Sequence, residues 1–168
     1  AVTRTPDLPS YAYGTPVLLT AAAATGSHFV DWSGDVVAAT ETTTVIVDGP
    51  KLVTATFAIN QYALTFETLG SGTVAAVPDL PFYDHGTTVQ VTATPAPGWH
   101  LAGWSGDASG SANPLTVTMD ATKEIVATFA IDMHALAIAT AGSGSVTRSP
   151  NLASYPYGTV VLLTATAI

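Results

Sequence analysis

The stretch Pro78-Asp-Leu-Pro-Phe-Tyr-Asp-His-Gly-Thr-Thr-Val-Gln-Val-Thr-Ala-Thr94 decides the fold. Its second half alternates without a break: Val89, Val91 and Ala93 fall on one side, and Thr88, Gln90, Thr92 and Thr94 on the other. Successive side chains of an extended chain point to opposite faces, so this spacing predicts a strand with one buried and one solvated face. The β-branched Val and Thr suit a pleated backbone. Its first half occurs twice more, as Pro6-Asp-Leu-Pro-Ser-Tyr-Ala-Tyr-Gly-Thr15 and as Pro150-Asn-Leu-Ala-Ser-Tyr-Pro-Tyr-Gly-Thr159. The step from Pro6 to Pro78 equals the step from Pro78 to Pro150.

The same offset recurs outward from this stretch. Gly70-Ser-Gly-Thr-Val74 returns as Gly142-Ser-Gly-Ser-Val146, Trp32-Ser-Gly-Asp35 as Trp104-Ser-Gly-Asp107, and Ala55-Thr-Phe-Ala-Ile59 as Ala127-Thr-Phe-Ala-Ile131. Self-similarity at a fixed period marks an array of one structural unit. The boundaries fall at 1–60, 61–132 and 133–168, with the second module complete. Ala1 aligns with Thr73, and Ile168 with Ala24 and Ala96. The chain therefore reads as a fragment of a longer array. Its outer modules are expected to expose strand edges and apolar residues such as Val17, Leu19, Val161 and Leu163, to be completed by neighbouring polypeptide.

Other strands of the complete module follow from the same period-2 rule. Tyr62, Leu64 and Phe66 form one inward row, and the Gly70-Ser-Gly72 turn is expected to close a hairpin onto Thr73–Val77. A strand from His100 to Trp104 follows the Pro-Ala-Pro-Gly turn at 95–98. Leu115, Val117 and Met119 make another inward row, and Ile125, Ala127, Phe129 and Ile131 the last, after a turn at Asp120-Ala-Thr-Lys123. No stretch sustains a helical period, and at most one helical turn fits between Pro78 and His85. The prediction is an all-β chain of small tandem modules with little or no helix. Trp104, Phe129, Val91 and Leu64 should be buried, with Trp32, Phe57 and Leu19 as their counterparts in the first module.

Composition narrows the function. Only 10% of residues are charged and the formal net charge is −8, against roughly 25% charged in an ordinary soluble domain. Arg4, Lys51, Lys123 and Arg148 are scattered, so no basic stripe exists to replace phosphate counterions or to draw the chain to anionic lipid. Nucleic acid and membrane insertion by this segment are excluded as partners. Without cysteine there are no disulfides, thiolate ligands or thiol nucleophiles.

These positions resemble the divergent internalin B-repeat, or Listeria–Bacteroides repeat, family. The matching features are the Gly70/Gly72 turn, Tyr83 to Thr87, Val91-Thr-Ala93, Gly98-Trp99, Trp104 to Asp107 and Ala127 to Phe129. The order and spacing of these features are more specific than any one of them. The first module departs at Ser27, where an aromatic is usual. The resemblance covers the whole chain and implies a β-grasp-like fold and an extracellular location at the bacterial cell surface in adhesin-like proteins. It implies no catalytic residues and no cofactor.

Candidate sites follow from residue chemistry. Trp32 and Trp104, each ahead of Ser-Gly-Asp, and Trp99 beside the second corner could stack on a sugar. Alternatively the Trp caps the core, with Asp35 or Asp107 bonding nearby backbone in the turn. Asp35 and Asp107 with Asp31 could contribute to a calcium site, but Gly103 replaces Asp31 in the second module, and calcium needs six to eight oxygens. His28 and His100 recur, whereas His85 and His134 replace tyrosines; one His per module is a poor metal site, and satisfied or solvent-facing histidines are expected. Lys51 and Lys123 are expected at exposed turn tips. No nucleophile beside a base and no recurring acid pair points to catalysis.

The chain is therefore expected to be a non-catalytic structural segment, a stalk or spacer or a unit of an extracellular fibre, whose partners are neighbouring repeats or adjacent copies. The alternative is an adhesin module that binds a glycan or a host protein through Trp99, Trp104 and Asp107, with Trp32 and Asp35 as counterparts. The short linkers Ile59-Asn-Gln-Tyr62 and Ile131-Asp-Met-His134 leave little freedom between modules.

Overall fold

A computed structural model describes all 168 residues, and it contains no helix. In chain order the strands are β1 (Val2–Thr5), β2 (Thr15–Ala21), β3 (Ser27–Gly34), β4 (Thr42–Val47), β5 (Val53–Ile59), β6 (Gln61–Tyr62), β7 (Leu64–Leu69), β8 (Gly72–Val77) and β9 (Tyr83–Asp84). They continue as β10 (Thr88–Pro95), β11 (Trp99–Gly106), β12 (Leu115–Thr118), β13 (Lys123–Ile131), β14 (Met133–His134), β15 (Gly144–Ser149), β16 (Tyr155–Pro156) and β17 (Leu162–Ala167). The chain is all-β, as the alternation predicted. Two compact units divide it: Ala1–Ala63 with Pro81–Thr87 and Thr118–Thr122, and Leu64–Leu80 with Thr88–Val117 and Lys123–Ile168.

In the first unit β2 lies between β1 and β4, antiparallel to both, and β3 pairs antiparallel with β5. Val17, Leu19 and Ala21 point inward from β2 and pack with Trp32 of β3 and Val45 of β4. Phe29 and Phe57 lean on this cluster, with their rings edge to face at 5.8 Å, the arrangement favoured by aromatic quadrupoles; Phe57, expected to be buried, is only half-buried, because β5 has a strand on one side alone. The expected exposure of Val17 and Leu19 does not occur. Strands on both sides of β2 leave them 2% and 8% accessible.

In the second unit β10 lies between β8 and β12, while β13 lies between β11 and β7. The β13–β7 pairing is parallel, in the register Lys123↔Leu64 to Thr128↔Leu69, and the β13–β11 pairing is antiparallel. Val89, Val91 and Ala93 are buried, as are Trp104, Val117, Ile125, Ala127 and Phe129. The inward rows fall where period 2 placed them.

Three further expectations need correction. The Gly70-Ser-Gly72 turn is not a hairpin: β7 joins β13 whereas β8 pairs with β10. The turn is a corner that carries the chain from one sheet to the other. Gly70 has φ +86°, and a Cβ there would strike the Phe129 carbonyl. A Cβ on Gly72 would sit 2.5 Å from the Phe129 ring. Glycine is needed because the backbone runs against that ring. Leu64 is half-buried rather than buried, because β7 is the edge strand of its sheet. Lys123 is not at an exposed tip, since it opens β13 opposite Leu64 and is half-buried.

Candidate functional site

The Trp-Ser-Gly-Asp corners are built identically in both modules. Trp32 is 1% and Trp104 5% accessible. The indole Nε1 of Trp32 donates to Thr40 O at 3.0 Å, and that of Trp104 to Ala112 O at 2.8 Å. A buried indole whose only polar group is satisfied is a core residue with no face open for stacking. The carboxylates of Asp35 and Asp107 accept hydrogen bonds from the backbone N–H groups of Leu52 (2.6 Å) and Glu124 (2.8 Å). In return the backbone N–H groups of Asp35 and Asp107 donate to Leu52 O and Glu124 O, both at 2.9 Å. Each corner thus pins the chain where β5 or β13 begins. Trp99 is half-buried, with its ring against Gly70. Asp31 Oδ1 and His85 Nδ1 are enclosed without a hydrogen-bond partner. No three His, Asp or Glu side chains converge as metal ligands would.

The residues that recur with a defined geometry lie instead where one module passes into the next. Asn60 follows β5 directly and makes three hydrogen bonds: its N–H donates to Gly26 O (2.8 Å), its carbonyl accepts from His85 N–H (2.8 Å), and its Oδ1 shares a hydrogen bond with His28 Nδ1 (2.8 Å). The next two residues, Gln61 and Tyr62, form β6 and pair antiparallel with Asp84 and Tyr83 of β9. Gln61 Nε2 donates to Asp84 Oδ1 at 2.8 Å. Asn60 therefore ties a turn of the first module to the β9 segment of the second. Every one of these residues lies within the first compact unit.

The same joint is made again in the second unit. Asp132 N–H donates to Gly98 O (2.8 Å), Asp132 O accepts from Tyr157 N–H (2.8 Å), and Asp132 Oδ1 meets His100 Nδ1 at 2.7 Å. Met133 and His134 pair with Pro156 and Tyr155. Both joints also pack a ring on a glycine. A Cβ added to Gly26 would enter the His85 imidazole, and one added to Gly98 would enter the Tyr157 ring. Both glycines have φ of +77°, a left-handed turn conformation that side chains resist. Neighbouring rings close the joint from the other side, Tyr62 to His85 at 6.0 Å and His134 to Tyr157 at 6.5 Å. The equivalent ring of the first module, Tyr13, is 87% accessible.

Sequence reasoning placed the recurring His28 and His100 but assigned them no partner. The available signal was that Asn60 and Asp132, both hydrogen-bond acceptors, follow His28 and His100 at the same spacing.

A chain of small β modules, joined through equivalent positions each time, is a tandem-repeat protein. A family model, the divergent InlB B-repeat domain, matches it twice, over residues 1–61 and 62–132. The chain belongs to that family. The border between the two matches bisects β6, inside the joint. Tandem domains of this family suggest a repeat module of bacterial surface proteins. No curated protein and no solved structure matches the chain.

Proposed function

We propose that the chain is a non-catalytic structural segment of a secreted bacterial surface protein, serving as a stalk or spacer between other parts of that protein or as a building block of an extracellular fibre. The observation that carries this reading is the joint. Flexible attachment would require only a polar linker. Here the linking residue makes three hydrogen bonds, a two-residue strand follows it, and a glycine is reserved so that a ring from the next module can seat on it. Each net hydrogen bond contributes about 0.5–1.5 kcal/mol, so several together give the joint itself resistance to free rotation. A spacer needs that resistance, whereas a set of independent binding domains does not.

NMR residual dipolar couplings on the whole chain test the reading. One alignment tensor should fit the amides of the first and second modules, and His85→Ala should separate them into two tensors while couplings inside each module persist. Two tensors in the unaltered chain would overturn the spacer reading. Glycan-array binding lost on Trp99→Ala would favour the adhesin alternative instead.

A further inference from the structure

All four histidines of the chain lie at its two joints, His28 and His85 at the first and His100 and His134 at the second. Histidine is the side chain whose ordinary charge change falls between about pH 5 and 8. The joints are thus the places where mild acid adds side-chain charge to this molecule. They meet that charge differently, because the ring seated on the glycine is His85 on Gly26 in one and Tyr157 on Gly98 in the other. A tyrosine keeps its proton throughout this range.

Hydrogen bonding decides which ring tolerates a second proton. His28 is exposed and its Nδ1 meets Asn60 Oδ1 at 2.8 Å, a bond that Nδ1 can donate whether the ring is neutral or charged. His100 Nδ1 meets the Asp132 carboxylate at 2.7 Å, and a charged ring makes that contact a charge-assisted bond. His134 is exposed, so water solvates its charge. Among the histidines, His85 alone has an enclosed Nδ1 that no acceptor meets. A neutral imidazole can place its single N–H on Nε2 and leave Nδ1 bare, whereas the protonated ring carries an N–H on both nitrogens. An enclosed charged donor without an acceptor costs more than an enclosed bare acceptor. The titratable groups around this ring are Tyr62 at 6.0 Å, the adjacent Asp84, whose Oδ1 accepts from Gln61, and Asp120, which follows the Met119 carbonyl that accepts from Gly86 N–H. Both carboxylates belong to exposed residues, so solvent screens their attraction for a charge on His85.

We propose that His85 is a pH-sensitive latch of the first joint: the neutral ring holds the joint closed on Gly26, and protonation in mild acid releases it, while the second joint, closed by Tyr157 and the His100–Asp132 contact, stays shut. A ring lifted from Gly26 exposes Nδ1 to water, which accepts from the new N–H and stabilises the open form. Lifting the ring also strains the bond from His85 N–H to the Asn60 carbonyl, the contact that ties β9 to the linking residue. One repeat position thus gives a joint that yields to acid and a joint that resists it. The latch goes beyond the spacer reading, which requires only that the joint be closed at neutral pH.

Amide hydrogen exchange of the whole chain by NMR, expressed as protection relative to the intrinsic rate at each pH, is the test. From about pH 7.5 to about pH 5, across the histidine range, protection of the His85 amide should fall at least tenfold. Protection of the Tyr157 amide, its counterpart at the second joint, should hold or rise. His85→Tyr installs the residue that the other two modules carry at this position, Tyr13 and Tyr157, so this variant should fold with a closed joint and lose the fall. Nitrogen spectra of the imidazoles give a reading that needs no variant: at about pH 7.5, above the histidine range, His85 Nδ1 should be unprotonated, with the proton on Nε2. Equal behaviour of the two amides, a fall that persists in His85→Tyr, or an Nδ1 that carries the proton at neutral pH each overturns the latch. A failed latch still leaves a single alignment tensor at neutral pH, so its failure and that of the spacer reading are told apart.

Discussion

Phe57 and Phe129 occupy the same place in the repeated Ala-Thr-Phe-Ala-Ile, yet their surroundings differ. Phe129 is 3% accessible, with the Gly70–Gly72 corner running against its ring. Phe57 is half-buried and meets Phe29 edge-on. Their strands differ in the same way. β13 runs from Lys123 to Ile131 between two neighbours, whereas β5 has one neighbour and begins only at Val53, the repeat equivalent of Ile125. Alternation within a strand sets which side chains face inward. The number of strands beside it sets how much that orientation stabilises, because a side chain gains only from the area that its neighbours cover.

The largest test of this contrast is truncation of the two rings. Phe129→Ala should cost about 3–5 kcal/mol, as usual for a fully buried Phe. Phe57→Ala should cost roughly half that, since it has less contact to lose. Native-state hydrogen exchange of the β13 and β5 amides reads the two effects separately. Equal losses would show that β7 and its corner contribute nothing to the second module.

The corner itself gives the next effect. A methyl on Gly72 cannot be placed without moving the Phe129 ring, so Gly72→Ala should destabilise by about 1–3 kcal/mol, the usual cost of overpacking. In the third module a Cβ added to the equivalent Gly144 would meet Thr166 O at 3.0 Å, with its next neighbours at 3.9 Å and no ring in its way. Gly144→Ala should therefore cost clearly less by thermal melting, and a Gly72→Ala chain that melts like its parent would refute the packing assigned to the corner.

This corner also shows where sequence reading stopped. A Gly-x-Gly between two alternating runs is locally indistinguishable from a hairpin turn, and its role depends on the Phe129 ring, at the far end of the module from Gly72. The inward rows Val89/Val91/Ala93 and Ile125/Ala127/Phe129 were legible because period 2 is a local property. The cores around Trp32 and Trp104 were legible for the same reason, helped by exact recurrence. The half-burial of Leu64 and Lys123 was not, since it depends on which strand lies at the edge. The joint was visible only as a short linker, because its partners are remote in sequence. Asn60 acts through His28 behind it and His85 ahead, and Asp132 through His100 and Tyr157.

Where the modules are built alike, substitutions should act alike, which gives the contrast its control. Asp35→Ala and Asp107→Ala each remove a carboxylate that accepts from a backbone N–H where β5 or β13 begins, and each should cost about 1 kcal/mol. Equilibrium unfolding in urea should give the two variants the same loss within error. A large difference would mean that the open β5 edge reaches back to the Trp-Ser-Gly-Asp corner.

The smallest effect concerns the lysines that precede these strands. Lys51 lies outside β5 and makes an ion pair with Asp48 at 2.6 Å, whereas Lys123 is drawn into β13 opposite Leu64. The hydrogen bond from Lys51, and then its charge, hold the Asp48 carboxyl below the usual carboxylate range; the hydrogen bond to Asp48 in turn raises Lys51. A depressed carboxyl contributes stability that is present above its unfolded pKa and is lost as pH falls through the folded value. A raised ammonium contributes stability that is present below its unfolded pKa and is lost as pH rises through the folded one. The pair therefore supports the turn across the neutral range and releases it at both extremes. Because both groups face solvent, salt should screen most of the effect. Lys51→Met should return the Asp48 titration, followed by NMR, upward toward the ordinary carboxylate range and leave global stability unchanged within error. An Asp48 titration indifferent to Lys51→Met would show that the pair does not persist in solution.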